Sequence, residues 1–162
     1  MSERIAFIGG GNMAGAIIGG LINQGTPAGE IDVVEPYADA QAQLKSLYGI
    51  TAQAQPGAFL MQASVVVWAI KPQTFREAAL QVRFHTKNAL HLSVAAGIRS
   101  DSIARWVATE RVVRAMPNTP ALIGKGITAL YARPAVQPEE RARIEKVIAP
   151  TGQFLWLDAE EL

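Results

Sequence analysis

Three small residues, Gly9, Gly11 and Ala14, are spaced as G-x-G-x-x-A directly after the apolar run Arg4 to Ile8 and at the head of a second apolar run that begins at Asn12. That spacing in that place suits a phosphate. One glycine permits a tight turn, the next lets the backbone approach a pyrophosphate, and a small third residue keeps the following helix close to its strand. The free N–H groups of a helix starting at Asn12 and Met13 would face the anion. A glycine-rich turn can also serve packing alone, but the strand before it and the helix after it favour dinucleotide binding. Glu35 follows about twenty residues after Ala14, the usual offset of a carboxylate that accepts from adenosine ribose hydroxyls. An acid there repels a 2′-phosphate and favours NAD(H) over NADP(H); its other reading is a solvated charge ending a strand. No arginine follows it in PYADAQAQ, so no 2′-phosphate clamp is indicated.

Three further loops carry candidate groups: AIKPQ (Ala69 to Gln73), SVAAGI (Ser93 to Ile98) and RAMPNTPALIGKG (Arg114 to Gly126). Lys71 could contact a cofactor or be a solvated lysine at a strand end. Asn118, held between Pro117 and Pro120 with Thr119 beside it, offers amide and hydroxyl groups on a stiff turn, which is also ordinary turn chemistry. His85 and His91, in a connector and in a strand, read as structural, and Trp68, Trp106 and Trp156 as core or subunit contacts.

The elements that position these loops follow from the apolar pattern. Strands are predicted at Arg4 to Ile8, Ile31 to Glu35, Val65 to Ile70, Leu90 to Val94 and Arg111 to Ala115; the Val65 to Ile70 run lacks polar alternation, as a strand covered on both faces should. Helices are predicted at Asn12 to Asn23, Ala38 to Leu47, Pro72 to Gln81 and Ser100 to Val107, with Gly25 and Gly49 as stops. A later pair, Gly126 to Ala132 and Gln153 to Leu157, brackets a helix whose start is marked by Pro138, Glu139 and Glu140. The series predicts an α/β, Rossmann-type doubly wound, mostly parallel sheet with helices on both faces. Such sheets gather ligand-binding loops at the carboxyl ends of their strands, which places all three later loops beside Gly9 to Ala14.

A chain of 162 residues with 49% hydrophobic residues is about one domain, and a net charge of +1 with interspersed signs points away from nucleic acid. It has no cysteine, hence no disulfide or thiolate metal site, and there is no His cluster; no metal is expected. No run reaches membrane-spanning length and the N-terminus lacks a signal-like apolar region, so the expectation is a cytoplasmic protein with no membrane partner.

The segments FIGGGNMAGAI, AIKPQ, SVAAGI and above all RAMPNTPALIGKGITAL resemble pyrroline-5-carboxylate reductase, in the same order and over nearly the whole chain. The resemblance implies a Rossmann domain over residues 1–157, followed from 158 by a helical domain that dimerises and carries much of the imino-acid site. It implies NADPH or NADH as cofactor, held by Gly9, Gly11, Asn12, Met13, Ala14, Ala69, Ile70, Lys71, Pro72, Val94, Ala95, Ala96 and Asn118, to which the offset of Glu35 adds that residue. Pro117, Asn118 and Thr119 would lie near the substrate, 1-pyrroline-5-carboxylate, and the full-length protein would be a homodimer or larger homo-oligomer. Asp158 and Glu161 form an Asp-x-x-Glu start to a new helix, so the sequence reads as a fragment whose catalytic groups lie outside these residues. Two other readings stay open: another dehydrogenase with a G-x-G-x-M-A loop, such as a β-hydroxyacid dehydrogenase or a deazaflavin-dependent NADP reductase, which the MPNTP turn disfavours, and a dinucleotide-binding module without turnover.

Overall fold

The computed structural model describes residues 3–118, 121, 122 and 124–160. Strand β1 (Arg4–Ile8) leads through a glycine loop into helix α1 (Asn12–Asn23), then β2 (Ile31–Val34), α2 (Ala38–Tyr48) and β3 (Ala63–Trp68). The chain continues through α3 (Pro72–Val82), β4 (Leu90–Ser93), α4 (Ser100–Val107), β5 (Val112–Met116), β6 (Gly126–Ala132), α5 (Pro138–Ile148) and β7 (Gly152–Trp156). The strands form one sheet in the order β2-β1-β3-β4-β5-β6-β7. All neighbours are parallel except β5 and β6, which run antiparallel. The mostly parallel, doubly wound expectation holds. Chain order reverses between β1 and β3, opening a crevice at their carboxyl ends.

Alternate residues of each strand feed two cores. On one face Phe7, Val33, Val65, Leu92 and Leu130 meet Ile17 and Leu21 of α1, Leu44 of α2 and Ile144 of α5. On the other face Ala6, Val66, Trp68 and Val112 meet Phe75 and Ala79 of α3 and Ile103 of α4. Strands buried on both faces have to be apolar throughout, and β3 is. It nevertheless begins and ends two residues earlier than the apolar run suggests. Ile5 pairs with Val65 and Ile8 with Trp68, so β1 fixes where the ladder stops, and Ala69 to Lys71 turn away over the sheet edge. The same backbone pairing that ends β3 there delivers Ala69 and Lys71 to the crevice.

His91 on β4 is fully buried and accepts a hydrogen bond at Nδ1 from Trp68 Nε1 at 3.0 Å, beside an aromatic cluster in which Phe75 stacks on Trp68 and Trp106 lies tilted to Phe75. Among the described residues its Nε2 meets no hydrogen-bond partner of good geometry. Burial pushes its pKa down to about 4; the Thr86 backbone partly offsets this, and the Arg111 charge adds to it. The histidine is structural, as expected from its place in a strand. It also makes the fold acid-sensitive. A depressed histidine pKa means that the unfolded chain binds the proton first, so the stabilisation is full above the unfolded value of 6.5 and is lost as pH falls towards 4. The loss should approach about 3 kcal/mol across that window. Urea titrations between pH 6.5 and 5.5, above the carboxylate range, should show this slope, and His91→Phe should flatten it. An unchanged slope in that variant would remove His91 as its source.

Candidate functional site

The crevice is built from backbone first. The Gly9 N–H donates to the Val34 carbonyl at 2.9 Å and the Ala69 N–H to the Ile8 carbonyl at 2.8 Å, so the ends of β1, β2 and β3 are laced together where the glycine loop begins. Gly9 has φ +100°, and a Cβ there would sit 2.3 Å from the Ala69 carbonyl oxygen, so both its conformation and its neighbour demand glycine. Gly11 differs: it serves as the N-cap of α1 at φ −82°, and a Cβ there would meet nothing within 4 Å. The space in front of Gly11 is open to a ligand.

Helix α1 starts without a side-chain cap and without an acidic residue in its first turn. The N–H groups of Asn12, Met13 and Ala14 precede the first intrahelical bond, from Gly15 N–H to the Gly11 carbonyl at 2.8 Å. Those orphan donors and the positive end of the helix dipole are suited to an anion.

Beside it lies a cavity of about 450 Å³ lined by Gly9 and Gly11, by Val34 to Tyr37, by Ala54 to Pro56, by Ala69 to Lys71 and by Thr74, Ala78 and Gln81 of α3. The structure thus brings together Gly9, Gly11, Glu35, Ala69, Ile70 and Lys71 from the expected set. Asn12 lines a neighbouring hollow, Ala14 is wholly buried as a packing residue, Met13 packs against the core, and Pro72 starts α3. Val94, Ala95 and Ala96 follow β4 at the same edge of the sheet but do not line the cavity; the Val94 N–H is tied to the Trp68 carbonyl at 3.0 Å. Pro117 and Asn118 follow β5 at that edge too, and Asn118 Oδ1 accepts the Ile127 N–H at 3.1 Å, which ties the end of β5 to the start of β6. Thr119 lies outside the described residues, as does Glu161 of the expected helix start; Asp158 to Glu160 are not helical.

Several lining residues escaped the sequence reading. Tyr37, Gln55 and Pro56 wall the cavity because Gln53 joins the edge of β2, its N–H donating to Val33 and its carbonyl accepting from Glu35, both at 2.8 Å. Nothing in the pattern around Gln53 marks a strand. Thr74, Ala78 and Gln81 lie three or four residues apart on α3, a spacing that marks one helix face but not what it faces.

A doubly wound sheet with a glycine loop, an uncapped helix N-terminus and a cavity at its switch point is a dinucleotide-binding Rossmann domain. Residues 4–97 match the family described as NADP oxidoreductase, coenzyme F420-dependent, and the chain belongs to that family. Over 161 residues it is 38% identical to the pyrroline-5-carboxylate reductase of Pseudomonas aeruginosa, covering 98% of this chain and 59% of the relative. The Escherichia coli pyrroline-5-carboxylate reductase is 35% identical over 156 residues, covering 94% of this chain and 58% of its own length. The structure of the Coxiella burnetii pyrroline-5-carboxylate reductase superposes with a TM-score of 0.92 at 30% identity, over 99% of this chain and 60% of that one. A Plasmodium falciparum pyrroline carboxylate reductase with NADP bound shares the fold, with a TM-score of 0.82 at 18% identity, over 97% of this chain and 58% of that one. The chain therefore spans about three fifths of the length of these relatives.

Proposed function

We propose that this chain is the cofactor-binding part of a NAD(P)H-dependent reductase that converts 1-pyrroline-5-carboxylate to L-proline. The observation that carries the reading is that similarity to reductases of that name extends past residue 97, where the family match stops, through the MPNTP turn to the end of β7. The residues fit the cofactor. The α1 amides and the open face of Gly11 accept a pyrophosphate, and the cavity beyond takes an adenosine. When bound, a reduced nicotinamide supplies a hydride for the carbon of the C=N bond.

The part left to this chain is positional. Asn12, Met13 and Ala14 hold the diphosphate by their amides; Ala69 to Pro72 wall the adenosine side; Val94 to Ala96 and Met116 to Asn118 form the rim on which the reacting ring and the imine are brought together. A protonated cyclic imine is already electrophilic, so orientation and exclusion of water do most of the work. The group that protonates or orients the imine nitrogen is assigned to residues beyond these, and residues 1–157 are the dinucleotide unit. Ile127 and Leu155 are exposed on the face of β6 and β7 opposite α5, which supports a homo-oligomeric full-length enzyme with that face covered.

The family match favours one other reading, hydride exchange between NADP(H) and a deazaflavin on the same cofactor site. The test is direct. Nicotinamide fluorescence should show saturable binding of NADPH or NADH to this chain. The gene product that carries it should oxidise the cofactor on addition of 1-pyrroline-5-carboxylate, with proline as product. For residues 1–162 alone, binding without measurable proline formation is expected. Oxidation only with a deazaflavin would transfer the assignment to the second reading, and failure to bind either nucleotide would sink both.

A further inference from the structure

Glu35 sits just beyond β2, where the adenosine ribose is expected, yet its carboxylate is turned back into the protein and is only 6% exposed. Oε1 accepts the Gly10 N–H at 2.9 Å and Oε2 accepts the Tyr37 N–H at 2.9 Å. The backbone of the same residue is used as fully: its N–H donates to the Gln53 carbonyl at 2.8 Å, and its carbonyl accepts the Gln41 side-chain amide at 2.6 Å. Four segments meet on one residue: the glycine loop, the turn after β2, the first turn of α2, and the short bridge at Gln53. Among the described residues no lysine or arginine donates to it, and the two backbone N–H groups hold the carboxylate.

We propose that Glu35 is a positioning residue for the anion-binding loop, and not the group that reads the adenosine ribose; this rests on the dinucleotide reading above. The Gly10 N–H is drawn inward onto the carboxylate, and the crowding around Gly10 agrees with that orientation, since a Cβ there would meet Leu44 Cδ1 at 2.8 Å and Glu35 Cβ at 3.3 Å. With Gly10 pinned inward, the peptide that follows carries Gly11 outward, and the α1 amides are left facing the open space. A carboxylate suits this post because both donors are N–H groups and it can accept from each. A glutamine cannot: one end would accept, while its NH2 group would meet the second N–H donor to donor. The ribose is left to the other cavity residues, and the fixed charge of Glu35 acts on a 2′-phosphate only at a distance.

A ligand pair separates positioning from reading. ADP and 2′-deoxy-ADP carry the same diphosphate and differ by the 2′-hydroxyl, which a ribose-reading carboxylate would hold. With Glu35 as a strut, Glu35→Gln weakens both by the same factor, on the order of tenfold for one lost charge-assisted hydrogen bond, and the ratio of their dissociation constants equals that of the unaltered chain. With Glu35 as a reader, the variant loses affinity for ADP alone and the ratio collapses towards one, which would overturn the proposal. Amide hydrogen exchange of the nucleotide-free, unaltered chain decides the matter even where the variant does not fold. Gly10 should be protected at least as strongly as neighbouring helical amides, and exchange at the rate of a free loop amide would also overturn it. Failure of the unaltered chain to bind ADP, NADH or NADPH with a protected Gly10 amide would strike the dinucleotide reading and the anion-loop role with it, leaving only the hydrogen bond between Gly10 and Glu35.

Discussion

Gly11→Val should abolish nicotinamide-dinucleotide binding and leave the domain folded, while Gly9→Ala should do its damage to folding itself. The two glycines are two residues apart and occupy opposite physical situations. At Gly11 the backbone lies at φ −82°, which any residue adopts, and an added Cβ meets nothing within 4 Å. Valine there costs the apo fold little, but its methyl groups fill the space through which a diphosphate must approach the α1 amides. The expected loss is at least about 100-fold in affinity, or about 2.7 kcal/mol, with an unfolding midpoint close to that of the unaltered chain. At Gly9 an alanine needs φ +100° and puts Cβ 2.3 Å from the Ala69 carbonyl oxygen, which is itself locked in the crevice by the Ala69 N–H bond to Ile8. Strain and overpacking together should remove roughly 2–4 kcal/mol. Calorimetric titration with NADPH and urea unfolding of both variants check this. Wild-type affinity in Gly11→Val would take the glycine loop out of the binding site.

The contrast shows which parts of the molecule were legible beforehand. The bounds of β1, α1, α4 and β6 follow from local pattern, because each is a complete apolar or amphipathic run with its own start or stop residues. The glycine loop, Lys71 and the offset of Glu35 were likewise readable, since spacing along the chain places them at one edge of a parallel sheet. What local pattern omits is orientation and partnership. The ends of β3 are set by pairing with β1, the walls at Tyr37 and Gln55 by a bridge at Gln53, and the inward turn of the Glu35 carboxylate by a loop 25 residues away. The antiparallel entry of β6 is another case: its composition resembles its parallel neighbours, and only the short connection from β5 hints at the reversal.

The least legible feature is a buried ionic knot between β5, the start of α4 and the residues after β7, where a single substitution should be costly. Arg114 interrupts the apolar β5 run and lies 3% exposed, with Nη1 bonded to Glu160 at 3.1 Å across 46 residues of sequence. Glu160 also accepts the Ser100 N–H and the Ser100 hydroxyl, each at 2.7 Å, so it caps α4 from a distance while Arg99 stands 3.7 Å away. Burial pushes the Glu160 carboxyl up, but the Ser100 hydrogen bonds and the Arg114 and Arg99 charges outweigh it and hold the group below the usual carboxylate range. Arg114→Met should leave that carboxylate buried without its main cation. The expected cost is about 3 kcal/mol, the lower end for a broken buried pair because Ser100 and Arg99 remain. For a domain of this size that is roughly 6–12 °C in melting temperature. Glu160→Gln should cost less than Arg114→Met, and the double variant should be less destabilised than the sum of the two, since the second change removes the charge that the first left stranded. The pH dependence carries the same sign: a depressed carboxylate stabilises fully above its unfolded pKa and loses that contribution as pH falls through the folded value. The acid limb of the stability curve should therefore be shallower in Glu160→Gln, with the remaining slope from His91 and from Glu140, whose carboxyl burial also raises and whose bonds from Gln137 and Arg111 lower further. Strict additivity of the two substitutions would show that Arg114 and Glu160 do not hold each other.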